Sequence, residues 1–190
     1  RKELVRPERS ELSAGDAFKF RHILIRDAAY EALPKLERAD LHERFAAWLE
    51  RATADRIAEY EEILGYHLAE AYRNRTDLGE TGPSVTQLAA SAAARYLSAG
   101  RRRRSLGDAA AAARLLAAGL SLQPREPALR AETSLELGSA LATLGELERA
   151  RPHAEESLAL GIAQHDMSLT ARARVLQLDI AVSSGQLVEV

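Results

Sequence analysis

The side chains best suited to proton transfer or metal binding near neutral pH are five histidines, His22, His42, His67, His153 and His165. They are scattered, and no His-Glu-x-x-His pair sets two of them on one helix face. His153 and Glu156 do share a face at i, i+3. Two ligands fall short of a tetrahedral zinc site, and a solvated helix side is the plainer reading. Gly79 to Ser84 contains two glycines but no lysine, so it cannot form a phosphate-binding loop, and there is no Gly-x-Ser-x-Gly elbow. Cysteine is absent, which excludes thiolate metal sites, disulfides and cysteine nucleophiles. The residues therefore predict a chain that is not an enzyme and has no metal or cofactor of its own.

Charge is the next candidate. The 190 residues carry 26 basic and 28 acidic side chains, a net charge of -2, so nothing draws the whole chain to nucleic acid or to an anionic membrane. The strongest local feature is Arg101-Arg102-Arg103-Arg104. One reading is a solvated helix side. Another is an anion-binding patch, since neighbouring guanidinium groups can hold carboxylates bidentately. A third is DNA binding, for which four arginines without interleaved aromatics make a thin footprint. Arg73 and Arg75 could extend the patch, but the sequence does not place them.

No apolar run approaches the roughly 20 residues of a membrane-spanning helix, because Arg114 interrupts even the Ala-rich stretch from Ala109. The chain opens on Arg1 without a signal peptide and stops in the apolar run Leu187 to Val190, so it is expected to be a piece of a longer protein, and the absence of cysteine is compatible with the reducing cytoplasm, its expected location.

Periodicity supplies the elements that must position these residues. Leu4-Val5-Arg6 before Pro7, and Phe18-Lys19-Phe20-Arg21 in strict alternation, predict a small β-hairpin. Helical spacing begins at Ile23 and is punctuated by Pro34. Leu41, Phe45, Trp48, Leu49 and Ala52 then form one apolar stripe, and Ile57, Tyr60, Leu64, Leu68, Ala71 and Tyr72 form another. Phe45, Trp48, Tyr66 and Tyr72 are expected in the core. The turn-rich stretch 76–84 reads as a linker, and Ser84 with Gln87 matches a capping box opening the next helix.

From there the chain repeats. Gly100, Gly107 and Ala112 recur 38 residues later as Gly138, Gly145 and Ala150, and Pro124 closes the first unit. Small residues let paired helices approach closely, and glycine supplies the turn conformation between them. This order resembles the tetratricopeptide repeat, with Arg103 where that pattern prefers an apolar residue and Ile162 where it has a second proline. A third unit from about Leu169, with Gly185 at its turn, looks truncated. The resemblance implies that Arg101 and Arg104 line a concave groove and meet a protein or peptide partner, acidic in character.

Two stretches of the front half are more distinctive. Phe18 to Tyr30, continuing through Leu33-Pro34 to Leu41-His42-Glu43-Arg44-Phe45 and Trp48-Leu49-Glu50, resembles a segment of bacterial multidomain signalling ATPases of the STAND or AAA type. Gly65-Tyr66-His67-Leu68-Ala69-Glu70-Ala71-Tyr72 resembles the next. Such proteins carry a cyclase or LuxR-type DNA-binding domain beside the ATPase core and end in tetratricopeptide repeats. The resemblance implies an all-α superhelix preceded by a winged-helix remnant over residues 1–22, a helical arm over 23–75, a linker over 76–84 and repeats over 85–190. It also implies that His22 senses nucleotide in the longer protein, where ATP or ADP with Mg would be bound, and that the rest of that ATPase is a partner. A histidine bonded to local backbone is the alternative for His22. The expected function is a non-catalytic regulatory and protein-interaction fragment. The alternative is a nucleic-acid binder using the hairpin and Arg101 to Arg104. Self-association through Leu187 and Val188 is a further expectation.

Overall fold

The computed structural model describes residues 4–8 and 17–185. Two strands, β1 (Val5–Glu8) and β2 (Ala17–Phe20), pair antiparallel with Val5 opposite Phe20 and Pro7 opposite Phe18. The expected hairpin forms, and β1 runs through Pro7 rather than stopping before it. A two-stranded ribbon has an edge on each strand, where a missing N–H is tolerated.

Among the described residues eight helices follow: α1 (Ile23–Glu31), α2 (Lys35–Ala52), α3 (Ile57–Asp77), α4 (Pro83–Ser105), α5 (Ala109–Ser121), α6 (Pro127–Thr143), α7 (Leu147–Ala163) and α8 (Met167–Ser183). From α2 onward each helix packs on the next, giving an all-α superhelix preceded by a short hairpin. In addition α4 touches α6, and α6 touches α8, across the helix between them, whereas α5 and α7 stand further apart. The stack therefore curves toward the row α4, α6, α8, which is its inner face.

The repeat is built as its small residues demand. Ala112 and Ala150 are fully buried. A side chain at Gly100 would bring its Cβ to 2.6 Å from Leu116 Cγ, so only glycine permits this approach of α4 and α5. Gly107, Gly145 and Gly185 adopt φ of 81°, 76° and 72°, the left-handed conformation that ends each first helix. Asp108 N–H then donates to the Arg103 carbonyl and Glu146 N–H to that of Leu141, closing the turn. Asp108 and Asp166 cap the helices that follow by accepting from the N–H groups of Ala111 and Leu169.

Two expectations are corrected. The capping box does not form. Pro83 takes the first helical position behind Gly82, so Ser84 already lies inside α4, and the Gln87 amide donates to Ser91 Oγ instead. On α2 the buried face is Ala39, His42, Ala46 and Leu49, while Leu41 is 47% exposed. Phe45 and Tyr66 are exposed rather than core, and Trp48 and Tyr72 are half-buried. Ala39 and Ala46 let α2 lie close on α3, so the bulky side chains spread over the rim of the contact. Of the stretch 76–84 only 78–82 lies between α3 and α4, the rest being helical, and those two helices pack on each other. Leu187 and Val188 lie outside the described residues.

Candidate functional site

The arginine run is divided by the helical period. Arg101 and Arg104 point from α4 toward α6, where Arg101 Nε donates to Glu136 Oε1 at 3.0 Å and Arg104 Nε to Glu136 Oε2 at 2.9 Å. Arg101 also bonds Glu132. From α8, Arg172 reaches back to Glu132 at 2.9 Å and Glu136 at 3.2 Å. Arg103 turns the other way and meets Glu62 of α3 at 2.9 Å, which Arg114 shares from α5. The four consecutive arginines therefore do not form one basic patch.

The resulting ladder ties together the three helices of the inner face. Glu136 is its centre, with a side chain only 4% exposed and three guanidinium groups around it. A carboxylate buried this deeply is tolerable because every oxygen accepts a charge-assisted hydrogen bond. Three arginines share two carboxylates, which leaves one positive charge in excess. Each arginine keeps between 42% and 45% of its side chain exposed, so the ladder is open to solvent. Sequence reasoning singled out Arg101 and Arg104 but missed Arg172, Glu132 and Glu136. The i, i+4 spacing of the two glutamates on α6 was the available signal.

Beyond this ladder the inner face widens, because α2 and α4 scarcely meet. A cleft of about 370 Å³ opens over α3, floored by Leu64 and Leu68. Arg95 stands at its wall, paired with Glu50 and, at 3.1 Å, with Glu61. Burial pushes the Glu61 carboxyl up, and the Arg95 guanidinium opposes that rise.

A second cluster lies where α1, α2 and α3 converge. His42 Nδ1 and His67 Nδ1 are 2.8 Å apart, and Tyr30 Oη is 2.9 Å from His42 Nε2. Phe45 packs against His67 with ring centroids 4.3 Å apart and the planes tilted by 42°, and Tyr66 meets both imidazoles edge-on. Burial lowers the His42 pKa against a raising effect of Glu70, and burial together with His42 lowers His67 to about 4. The sequence offered no reason to pair the two histidines, since their partnership arises from packing 25 positions apart.

His22 is the N-cap residue of α1, in extended conformation and exposed, with its carbonyl accepting from Ile25 and Arg26 N–H. Arg73 pairs with Glu70, and Arg75 with Asp40, Glu43 and Glu80, so neither joins the ladder. Glu156 accepts from Arg130 and from Ser134 Oγ, drawn toward α6 rather than into a site with His153. Burial lowers the His153 pKa. Among the described residues no three His, Asp or Glu side chains group as metal ligands, and no helix is long and apolar enough to cross a membrane. The chain matches no protein-family model, no curated protein sequence and no solved structure closely enough to assign a family.

Proposed function

We propose that this chain is a non-catalytic regulatory and protein-interaction segment of a multidomain signalling ATPase, in which the inner face of the superhelix takes an acidic segment of a partner protein. The observation that carries the reading is the arginine ladder on that face, where Arg101, Arg104 and Arg172 hold one positive charge in excess and stay partly open to solvent. An incoming carboxylate would join Glu132 and Glu136 in a preformed cluster, so little side-chain order has to be created on binding. The α3 helix supports the coupling role. It packs on α2 on one side and α4 on the other, so the arm and the repeats share a helix and a shift in one is felt by the other. On this reading the nucleotide and its Mg belong to the rest of the protein, in the cytoplasm, with His22 at the end nearest to it.

The test is fluorescence anisotropy with a labelled twelve-residue glutamate-rich peptide and its glutamine counterpart. The expected result is binding of the acidic peptide alone, weakened at least about tenfold by Arg101→Ala/Arg104→Ala, as two lost charge-assisted bonds imply. Equal binding of both peptides, or an indifferent double variant, overturns the groove. Duplex DNA at low salt serves as the control for the nucleic-acid alternative, because a phosphate-binding surface would give steep salt dependence. Nucleotide hydrolysis by the purified chain would overturn its non-catalytic role.

A further inference from the structure

We infer that Tyr30, His42 and His67 form a proton-operated latch that holds α1 and the β-hairpin against the superhelix and releases them on acidification. The need for a latch is visible in α1 itself. None of its residues is buried, and Ile23 and Leu24 are 64% and 77% exposed. Packing therefore does little to hold this helix. Its attachments are polar: Tyr30 Oη on His42 Nε2, and Arg38 of α2 donating to the Leu33 and Glu31 carbonyls with its guanidinium 5.1 Å from the Tyr30 ring centre.

The proton count of this relay is restricted. Two Nδ1 atoms 2.8 Å apart need one N–H between them. In the neutral state His42 and His67 share a single Nδ1 proton, and Tyr30 completes the chain. One added proton is accommodated on His42, which then donates from Nδ1 to His67 and from Nε2 to Tyr30 Oη. A second is not, since both Nδ1 atoms would carry hydrogens pointing at each other.

The charged surroundings do not relieve that conflict. Glu70 of α3 is the carboxylate facing His42, and it is already bonded to Arg73. Arg26 of α1 and Arg73 of α3 face Tyr66, and Arg38 covers Tyr30. The imidazoles must part, and His42 takes its bond to Tyr30 with it. The α2–α3 contact survives on Ala46, Leu49 and Leu64, and Arg75 bonds Asp40 and Glu43. The piece that comes free is α1 with its hairpin.

The sign follows from the direction of the shifts. Docked His67 has a pKa of about 4 and a released one reverts to about 6.5, so the released form gains protons as pH falls through that window. For this one group the released fraction rises about tenfold between pH 7.5 and 5.5. The experiment is amide hydrogen exchange on the whole chain at those two pH values, with rates converted to protection factors to remove the intrinsic pH effect. Protection in α1 should drop about tenfold at pH 5.5 while α4 to α8 hold theirs, and His42→Gln/His67→Phe should change less than about twofold. Unchanged α1 protection in the natural chain, or an equal drop in the double variant, overturns the latch. If that variant fails to fold, the His67 Cε1–H resonance of the natural chain decides: a midpoint near 4 supports the latch, and one near 6.5 for both histidines refutes it.

Discussion

Leu24 and Leu169 are both leucines in the first turn of an α-helix, yet the first is 77% exposed and the second 2%. The difference marks two kinds of structure in one chain. The front end, α1 and its hairpin, is fixed by the hydrogen bond between Tyr30 and His42, itself bonded to His67, and by Arg38. The superhelix is fixed by alanine and leucine packing between consecutive helices, with an ionic ladder along its inner row. Burial is non-directional and accumulates with area, so it gives a cooperative stack. A few polar contacts hold one geometry and are sensitive to protons, which suits a joint better than a core.

Removing packing from the stack should have the largest effect. Leu141→Ala, at a side chain 1% exposed, is expected to cost about 2–5 kcal/mol, read as a lower urea midpoint. An effect below that range would mean that the stack is less closely packed than the front end requires by contrast. Gly100→Ala should cost about 1–3 kcal/mol because its Cβ would collide with Leu116, and adding Leu116→Ala should cost less than the two changes summed. Plain additivity in that cycle would place the strain elsewhere.

The ladder comes next. Glu136→Gln leaves three guanidinium groups around a neutral amide and should cost about 1–2 kcal/mol after allowance for their exposure, with the loss smaller in high salt. A salt-independent loss would show that Glu136 acts by shape. Smallest of all, Leu24→Gln should shift stability by no more than about 0.5 kcal/mol, since the leucine packs on little. A larger loss would erase the distinction between the two regions.

Much of the stack was legible because its constraints are local. Gly107 and Gly145 announce turns that need positive φ, and Ala112 and Ala150 announce close helix crossings, whatever lies around them. The histidine pair was illegible because its members sit on different helices, and the two stretches that carry them, 41–45 and 65–72, do not encode a contact between them. The α2 face was misread in part for a related reason: Leu49 was expected on it and is buried, but Leu41, Phe45 and Trp48 obey helical spacing as well as Ala39, His42 and Ala46 do, and hydrophobicity favoured the first three.

The same ambiguity is sharpest in α8. Leu169, Ala173, Leu176 and Ile180 form one apolar stripe, and Ala171, Val175, Leu178 and Val182 form another with the same 4-3-4 spacing. The first is buried against the stack and the second is exposed. The amino-acid order by itself determined that these segments are helices, where they end and that they repeat, because propensity, caps and turn conformations depend on neighbours in the chain. Which face of each helix turns inward, which carboxylates meet Arg101 and Arg104, and that His42 touches His67 were decided only by tertiary packing. Those outcomes depend on which helices become neighbours in space, and no local pattern encodes that.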